Sequence, residues 1–508
     1  MRSLKLLGLE VHVIDLIALL PDYPLPLPNV KVGGVKLDSR QVAPNDIFVA
    51  VPGYQVDGRQ FIDAAIAAGA AVVLAEAETV GIEQRGRAWL IDVPQLKNQL
   101  SFIAGRFFHE PSQHLRVIGV TGTNGKTSVT YIVAQLLNAL GTRCGVIGTT
   151  GSGFPGQLLA ETHTTPDAVA VQHRLQVLHS EGARAVAMEV SSHALVQRRV
   201  EGVHFAVGVA TNISRDHLDY HGTMAHYAGA KRRLLTELNT ERSVLNADDA
   251  SIAAWLPDRP DSWRFSLTPQ SASRSLWAAD IQYAADGTKF NLHVQAHAGE
   301  PVVYPVVSPL LGGFNVYNLL AAIATLVTLD YDPAAIVAAC RQLHAVPGRM
   351  ETFGGTEQQP LVIVDYAHTP DALQQVLTAL RRHCQGTLWC VFGCGGDRDR
   401  GKRPQMGAVA AELADRVVVT DDNPRTEEPQ QIVQDILAGM PRQRQVQVIM
   451  GRENAVRQAI AQAQPGDVVL LAGKGHEDYQ IIGQQRTDYN ERALVAAIMT
   501  TAAVERES

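Results

Sequence analysis

The sequence predicts an α/β protein of three domains, and three observations support this prediction. The chain has 508 residues, and a domain takes about 150 residues, so the length suits about three domains. Residues 115–140 read as a buried strand, a glycine-rich loop and a helix with apolar residues at helical spacing. From Pro347 onward apolar strands alternate with helical stretches, as in a doubly wound, mostly parallel sheet. We place the domains at residues 1–107, 108–346 and 347–508.

The N-terminal domain mixes short strands and helices. Residues 45–53 alternate and end in Pro-Gly, which is typical of a strand that runs into a turn. Residues 61–70 predict a helix of small residues, and residues 71–75 predict a buried strand. Taken alone, this domain shows no cluster of catalytic residue types.

The central domain contains a glycine loop, residues 122–128, directly after its buried strand. Gly122 and Gly125 let backbone N–H groups approach an anion, and the helix N-terminus adds a partial positive charge. Lys126 is placed to reach the outer phosphates of a nucleotide, and the Thr127 hydroxyl to ligate Mg²⁺. Only two residues separate the glycines, whereas the usual spacing has four. The alternative is an ordinary strand-to-helix turn, but Gly-Lys-Thr at a helix start favours a nucleoside triphosphate site.

Polar side chains follow the next buried strands of the central domain. Glu189 lies near the end of one strand, and His217 follows another. Because ligands gather at the carboxyl ends of strands in open α/β sheets, both are candidate Mg²⁺ ligands. For His221 and His226 we expect only structural roles.

The C-terminal domain carries polar clusters after its strands. The predicted strands are 361–365, 388–392, 416–420, 446–449 and 468–471. The clusters at their ends are 365–371, 395–399, 422–425 and 473–477. Each cluster alone could be solvated loop polarity, but four at one sheet edge predict a binding site.

Composition limits the partners and the compartment. A net charge of −7 argues against broad nucleic-acid binding. The five cysteines are scattered and complete no zinc pattern, which favours reduced thiols in a cytoplasmic protein. Glu10, His12 and Asp15 interrupt the N-terminal apolar segment before a signal-peptide core forms. The apolar stretch 319–329 is too short to cross a bilayer, so we expect no membrane insertion.

Nine motifs of this chain resemble those of the Mur ligases, ATP-dependent amide-bond-forming enzymes of peptidoglycan synthesis. They are residues 122–127, 188–193, 212–221, 246–249, 313–318, 347–351, 365–371, 422–425 and 473–477. Together they resemble the family members that add meso-2,6-diaminopimelate to UDP-N-acetylmuramoyl-L-alanyl-D-glutamate. The resemblance runs in order through nearly the whole chain.

The resemblance implies a role for each domain. The first binds the UDP end of the substrate, the central P-loop domain binds ATP, and the Rossmann-like third binds the incoming amino acid. The implied ATP contacts are Gly122, Thr123, Asn124, Gly125, Lys126, Thr127, Ser128, Asn315, Asn318, Arg349 and Asp365. The implied contacts to the UDP substrate fall into two groups, with His163 in addition. Leu37, Ser39, Tyr54, Gln55 and Val56 are implied to contact the uridine or its diphosphate, and Thr164, Thr165, Ser191, Gln197 and Arg199 to hold the muramoyl-dipeptide. The implied contacts to the amino acid are Arg398, Asp422, Asn423, Pro424, Arg425, Gly473 and Glu477. At His163 the chain departs from the family, which has asparagine there.

The resemblance also assigns the catalytic and metal-binding residues. Lys126, Lys231, His217 and Arg349 are implied to act in catalysis, and Thr127, Glu189, His217 and Lys231 to hold Mg²⁺. Lys231 matches the family lysine that CO₂ carbamylates, which turns an ammonium into an anionic oxygen ligand suited to Mg²⁺. Its position on a predicted helix, 225–238, by itself predicts a solvated side chain.

The implied chemistry is phosphorylation of the D-glutamyl carboxylate by ATP, followed by attack of the diaminopimelate amine on the acyl phosphate. Only small-molecule substrates are implied as partners, and we expect a monomer. The first alternative is a folylpolyglutamate synthetase, which shares the ATP-binding motifs. Residues 422–425 and the first domain argue against this alternative. A P-loop ATPase switch is the second alternative. A switch hydrolyses ATP without a small amino acid, whereas a ligase needs both acceptor substrates.

Overall fold

A computed structural model describes residues 13–53, 56–441 and 446–507. Tyr54 and Gln55, two of the predicted substrate contacts, lie outside the described residues, as do Glu10 and His12 of the predicted signal-peptide interruption. The chain divides into two compact units. One consists of the residues through Lys126, Gly141–Val244 and Ser251–Ser262, and the other of Thr127–Leu140, Leu245–Ala250 and the residues from Trp263 onward.

The first unit contains an N-terminal five-stranded sheet. In spatial order its strands are Gly34–Lys36, Asp46–Ala50, Val72–Ala77, Ala88–Pro94 and Gly81–Arg85. All pairs are parallel except the last. The helices here are Leu16–Leu19, Ile62–Ala67 and Leu96–Phe107, and a short antiparallel pair joins Ile14–Asp15 to Lys31–Val32. The strands predicted near residues 45–53 and 71–75 are confirmed, whereas the predicted helix 61–70 is shorter.

The first unit also holds the sheet that carries the glycine loop. In spatial order its strands are Gln157–Leu159, Gly151–Phe154, Cys144–Gly148, Ala185–Glu189, Arg116–Thr121, Phe205–Ala210 and Thr240–Asn246. The helices between residues 126 and 253 are Lys126–Ala139, Ala168–Ser180, Ser192–Val196, Leu218–His221, Met224–Thr236 and Ala250–Ala253, and the first of them belongs to the second unit from Thr127 onward. Four neighbouring strands, from Cys144–Gly148 to Phe205–Ala210, are parallel. Their residues are almost all buried, which explains why they read as continuous apolar runs in the sequence.

The second unit contains four strands, between residues 263 and 308, that the sequence analysis did not predict. They are Trp263–Ser266, Ser275–Ala284, Gly287–Gln295 and Val302–Ser308. The first pair is parallel, and the other two pairs are antiparallel. Helices Gly313–Thr328 and Pro333–Ala339 follow. The first of these two contains the apolar stretch 319–329 almost entirely and buries it. Among the described residues no helix combines the length and apolarity that a membrane span needs.

The second unit ends in a six-stranded sheet. In spatial order its strands are Glu351–Gly354, Leu361–Asp365, Val468–Ala472, Leu388–Phe392, Arg416–Val419 and Val446–Val448. All pairs are parallel except the first. The helices are Pro370–Arg381, Lys402–Leu413, Pro429–Leu437, Arg452–Gln462 and Glu491–Glu507, and a hairpin joins Tyr479–Ile482 to Gln485–Asp488. The predicted parallel sheet is confirmed, and because its central strands run the same way, their carboxyl ends meet at one edge.

Candidate active site

The glycine loop is held in shape by the chain that follows the neighbouring strand. Gly122 has a φ of +147°, and a side chain there would overlap the Thr211 hydroxyl. The Thr123 N–H donates to the Asn212 carbonyl over 2.8 Å, and the Asn212 side-chain amide donates to the Asn124 carbonyl over 3.0 Å. The Thr211 hydroxyl donates to the same Asn124 carbonyl. The loop is therefore shaped before any ligand arrives, which reduces the ordering cost of binding an anion.

Two lysine side chains share one carbonyl of this loop. Lys126 Nζ donates to the Gly122 and Thr123 carbonyls, each over 2.9 Å. Lys231 Nζ donates to the same Gly122 carbonyl over 2.8 Å. Lys231 is 1% exposed, so the prediction of a solvated lysine from helical spacing was wrong. Helix Met224–Thr236 turns this side chain inward with its apolar face.

The surroundings of Lys231 favour its neutral form. Burial, and then the positive charge of Lys126, lower the pKa of Lys231 from 10.5 to about 6. A neutral amine has a free electron pair, which an ammonium lacks. Lys231 is therefore chemically able to add CO₂ near neutral pH.

This shift predicts a pH-dependent stability difference. The unfolded lysine keeps its proton up to about pH 10.5, whereas the folded one loses it above about pH 6. Between these values the unfolded state binds more protons, so the free energy of unfolding rises with pH. In CO₂-free buffer, urea unfolding of Lys231→Met is expected to lack this rise from pH 6 to pH 9. The exposed-lysine variant Lys289→Met should follow the unmodified protein, and a parallel pH dependence in Lys231→Met would contradict the assignment.

Aromatic and imidazole rings connect the loop to His217. The Tyr227 hydroxyl lies 3.0 Å from Thr123 Oγ1, and Lys231 Nζ lies 4.7 Å from the centre of the Tyr227 ring. The His217 ring contacts both Tyr227 and His193, with centroid distances of 6.3 and 4.9 Å. The structure therefore brings three predicted catalytic residues, Lys126, Lys231 and His217, around one loop.

The other two histidines named in the sequence analysis differ from His217. His221 is buried, and its Nε2 lies 3.0 Å from Ser192 Oγ. Burial, followed by the charge of His193, lowers the pKa of His221 to about 4. His226 is exposed near the start of its helix. The position of His221 agrees with a structural role, whereas the role expected for His226 stays a prediction. The His217 side chain is about half exposed, at 48%, and can reach a ligand.

The predicted metal ligand Glu189 is linked to the predicted substrate residues. Its carboxylate accepts from the Thr149 N–H over 2.8 Å and from the Thr149 hydroxyl over 3.2 Å. Thr149 Oγ1 lies 3.1 Å from Thr164 Oγ1, and the Thr165 hydroxyl donates to the Glu189 carbonyl over 2.7 Å. The end of strand Ala185–Glu189 therefore ties a metal-ligand candidate to two dipeptide-binding candidates.

The same network extends to the remaining dipeptide-binding candidates. The Ser191 N–H donates to Thr165 Oγ1, and an Arg199 N–H donates to the Thr165 carbonyl over 2.6 Å. Arg199 also donates to the side-chain oxygen of Gln197. His163 lies apart from these bonds and contacts the hydroxyl of Thr162. Four of the five predicted contacts named here thus form one hydrogen-bonded cluster.

The predicted contacts in the N-terminal domain do not indicate which ligand they bind. Leu37 is partly buried against the N-terminal core, and Ser39 begins a short 3₁₀ helix. Val56 is 53% exposed. These positions leave the side chains of Ser39 and Val56 open to a ligand, but none of the three defines its chemistry.

Whether the residues proposed to hold the metal suit Mg²⁺ depends on the chemical state of Lys231. Within the described ranges, no group of three or more histidine, cysteine, aspartate or glutamate side chains lies close enough to hold a metal. The predicted set has two such residues, Glu189 and His217, with the Thr127 hydroxyl and Lys231. Oxygen donors suit Mg²⁺, whereas a lysine side chain offers only nitrogen when neutral and repels the ion when protonated. The set fits Mg²⁺ if Lys231 carries an anionic oxygen.

The predicted nucleotide contacts of the second unit lie in two places. Asn315 and Asn318 are both buried on helix Gly313–Thr328, and the Asn318 amide donates to Asn315 Oδ1 over 2.9 Å. The Arg349 guanidinium lies 4.8 Å from the centre of the Tyr366 ring. The Asp365 carboxylate accepts from the N–H groups of Met350 and Ala367, each over 2.8 Å, and burial raises its pKa.

The predicted amino-acid contacts converge on a lysine that the sequence analysis did not select. Lys474 Nζ donates to Asn423 Oδ1 over 2.6 Å and to Glu477 Oε2 over 3.3 Å, and it lies 3.1 Å from Asp422 Oδ1. Asn423 Nδ2 also donates to Glu477 Oε2. Among the described residues, nothing donates a hydrogen bond to Asp422 Oδ1, although this atom is buried. A buried acceptor without a donor is suited to the ammonium of a ligand.

Arg425 lies beside this cluster in a constrained backbone. Its φ is +51°, and its N–H donates to the Ile481 carbonyl over 3.1 Å. One guanidinium nitrogen, Nη1, donates to the Gly396 carbonyl over 2.8 Å. A left-handed backbone at a bulky residue is commonly found at binding sites, where the surrounding contacts impose it. Arg398 is exposed, and Pro424 and Gly473 are buried in the same loops.

Residues that the sequence analysis missed include Tyr227, Thr149 and Lys474. Tyr227 precedes Lys231 by four residues, a spacing that places two side chains on one helix face, so the sequence held a signal for it. Lys474 lies inside a motif that had been noted as polar. Thr149 showed no signal, because its role depends on contact between distant segments.

The three α/β sheets and the glycine loop define a class, a three-domain α/β protein with a phosphate-binding loop. Three family models match the chain, namely "Mur ligase family, catalytic domain" at residues 31–106, "Mur ligase middle domain" at 120–326 and "Mur ligase, glutamate ligase domain" at 348–475. Together they cover more than half of it. The chain belongs to the Mur ligase family, and the predicted fold class and family are confirmed.

Similar proteins agree with this assignment. The chain is 50% identical over 482 residues to a UDP-N-acetylmuramoyl-L-alanyl-D-glutamate--2,6-diaminopimelate ligase of Ectopseudomonas mendocina (strain ymp), covering 95% of this chain and 97% of that protein. A solved structure of a protein with the same name is 37% identical, has a TM-score of 0.73 and covers 98% of this chain and 100% of that one. The Mycobacterium tuberculosis folylpolyglutamate synthase complexed with ADP is 20% identical, has a TM-score of 0.58 and covers 74% and 91%, which shows a shared fold.

Proposed function

We propose that this chain is a ligase that uses ATP to join meso-2,6-diaminopimelate to UDP-N-acetylmuramoyl-L-alanyl-D-glutamate, releasing ADP and phosphate. The observation that carries this proposal is 50% identity over 95% of the chain to a ligase named for these two substrates. The test is phosphate release by the purified protein with ATP, Mg²⁺ and each acceptor singly and together. Release only with both acceptors supports the ligase, and release with ATP alone supports an ATPase switch. Release with a folyl acceptor in place of the UDP substrate supports a folylpolyglutamate synthetase.

Each domain has one ligand in this proposal. Residues 1–107 hold the UDP end through Leu37, Ser39 and residues 54–56. Residues 108–346 hold ATP, and residues 347–508 hold the amino acid. The ranges of the three family models, which fall within these bounds, support the division. ATP and these acceptors are small molecules of the cytoplasm, where we propose that the chain works as a monomer.

The first chemical step is phosphorylation of a poor electrophile. An oxygen of the D-glutamyl carboxylate attacks the γ-phosphorus of ATP, the bond to ADP breaks, and an acyl phosphate forms. Lys126 exchanges its two loop carbonyls for phosphate oxygens and offsets the charge on the transferring group, and Arg349 supplies a second positive charge. Thr127, Glu189, His217 and a carbamylated Lys231 would hold Mg²⁺, which neutralises phosphate charge when bound.

The second step forms the amide bond. The free amine of diaminopimelate attacks the acyl carbon, and a tetrahedral intermediate forms. This intermediate expels phosphate, which leaves with the oxygen that the carboxylate contributed, and the nitrogen loses one proton and keeps the other as the amide N–H. The cluster of Thr164, Thr165, Ser191, Gln197 and Arg199 holds the dipeptide during both steps, which keeps the acyl carbon in place for attack.

We also propose that Lys231 works as a carbamate. Burial and the neighbouring charge keep its amine neutral, and a neutral amine attacks CO₂ to give an N-carboxylate and one proton. The product is the anionic oxygen ligand that the proposed metal set requires. Because Lys231 lies beside the Gly122 carbonyl, this anion would form next to the phosphate loop.

Removing this side chain should therefore remove most activity. Lys231→Ala is expected to lower kcat by about 10²-fold or more, since charge stabilisation at the phosphoryl group is lost. A small carboxylate such as formate should restore part of the rate. Carbon-13-labelled CO₂ gives a readout independent of turnover, because the unmodified protein and Lys289→Ala should show a carbamate signal that Lys231→Ala lacks. A fully active Lys231→Ala variant would contradict the proposal.

A further inference from the structure

We propose that Lys474 determines which amino acid enters the C-terminal domain, by balancing the charge of the two carboxylates beside it. This inference rests on the amino-acid site proposed above. Lys474 is a positioning residue here, since it acts on the substrate through Asp422, Asn423 and Glu477. Together with the guanidinium of Arg425, its ammonium makes the cluster electrically neutral, and a neutral cluster favours a zwitterionic side-chain end over a lone ammonium.

Lys474 is buried, and oxygens of this cluster surround its ammonium. The residue is 0% exposed. Its Nζ contacts oxygens from two loops and the hairpin, namely Asn423 Oδ1 at 2.6 Å, the Tyr479 carbonyl at 2.9 Å and Glu477 Oε2 at 3.3 Å. An ammonium has three donors, so these three oxygens occupy all of them. Asp422 Oδ1, 3.1 Å away, feels the charge of Lys474 and keeps its electron pairs for a ligand.

The charges of the cluster sum to zero. Asp422 and Glu477 contribute two negative charges, and Lys474 and Arg425 contribute two positive charges. The far end of diaminopimelate carries one ammonium and one carboxylate, so it is also neutral. Lysine ends in an ammonium alone. Transfer of that uncompensated charge into a buried neutral cluster costs free energy, whereas a zwitterion brings its own compensation.

The buried pair of Arg452 and Glu491 does not change this count. Arg452 is fully buried and approaches Asp422, but Glu491, also fully buried, pairs with it through two hydrogen bonds. That pair adds no net charge. Removing the charge of Lys474 would therefore leave the cluster at one negative charge, which suits a lone ammonium.

The test is the ratio of kcat/KM for meso-diaminopimelate to kcat/KM for L-lysine. In Lys474→Met and in Lys474→Gln, which keeps a hydrogen-bond donor without the charge, this ratio is expected to fall by about tenfold or more. Lys474→Arg keeps the charge and should keep the ratio, as should the surface control Lys289→Met. Because both substrates are measured on one preparation, partial unfolding cancels from the ratio. A ratio that changes by no more than about twofold in both uncharged variants overturns the inference.

A second variant tests the charge balance even if Lys474 variants fold poorly. Glu477→Gln leaves the cluster with one positive charge, so the ratio should rise, because lysine is repelled more than the zwitterion. Adding Lys474→Met to Glu477→Gln restores neutrality and should bring the ratio back toward that of the unmodified protein. A fall in the ratio for Glu477→Gln contradicts charge balance.

Arg425→Ala separates the proposed amino-acid site from the proposed role of Lys474. An unchanged ratio in Arg425→Ala refutes the amino-acid site itself. Failure of the Lys474 tests alone refutes only the role of Lys474.

Discussion

Replacing Lys126 with alanine is expected to abolish ligation, with kcat lower by about 10³-fold or more. The reason is that Lys126 lies at the start of helix Lys126–Ala139, where its ammonium already contacts two carbonyls of the glycine loop. In the proposed reaction the same ammonium offsets the charge of the transferring phosphoryl group. The measurement is ADP formation at saturating ATP, Mg²⁺ and both acceptors.

The control for Lys126→Ala must show that the fold survives. Each lost hydrogen bond contributes only about 1 kcal/mol to stability, so the urea midpoint should move little. Lys289→Ala removes an exposed lysine and should leave both stability and turnover unchanged. Unchanged turnover in Lys126→Ala would remove the glycine loop from the mechanism.

The second large effect is rejection of L-lysine in favour of meso-diaminopimelate. The guanidinium of Arg425 can bind the far carboxylate of diaminopimelate through two parallel charge-assisted hydrogen bonds. Lysine lacks that carboxylate and would leave the guanidinium desolvated and unpaired. Sites built for a polar substrate group reject analogues without it by about 10⁴-fold, or roughly 5 kcal/mol. Competition between the two amino acids at equal concentration should give this ratio of kcat/KM.

Arg425→Ala should collapse this discrimination, mainly through lost use of diaminopimelate. Arg425→Lys keeps the charge but loses the paired geometry. Its discrimination between the two amino acids should therefore lie between that of the unmodified protein and that of Arg425→Ala. Arg457→Ala is the matched control, because that arginine is exposed on a helix, where it pairs with Glu453. Comparable kcat/KM values for both amino acids in the unmodified protein would reduce the assignment to a Mur-type ligase of other specificity.

The sheets could be predicted wherever a strand is buried on both faces. Leu361–Asp365 and Leu388–Phe392 have the predicted bounds because continuous apolar, β-branched runs have no amphipathic alternative. Strands Ser275–Ala284 and Gly287–Gln295 were missed because polar residues interrupt their apolar ones, so no continuous apolar run marks them. The two strands form a hairpin in which Ala284 pairs with Gly287, so the Asp-Gly at residues 286–287 was a local turn signal that the sequence analysis did not use.

Some residues of the candidate site could also be predicted from the sequence, and others could not. The glycine loop could be read from the sequence because its chemistry lies in adjacent residues. The burial of Lys231 could not, since helical spacing gives the faces of a helix but not which face meets a sheet. Lys474 was noted only as part of a polar motif. Its role became visible once the structure placed Asp422 and the Tyr479 carbonyl within about 3 Å of its ammonium.

The central claim is that ATP drives amide formation through an acyl phosphate, and one isotope measurement tests it most directly. The D-glutamyl carboxylate of the UDP substrate is labelled with oxygen-18 and incubated with the protein, ATP, Mg²⁺ and meso-diaminopimelate. We predict that each phosphate released carries one labelled oxygen, and that the UDP product gains the mass of diaminopimelate less one labelled water. Unlabelled phosphate, formed whether or not diaminopimelate is present, would contradict the account.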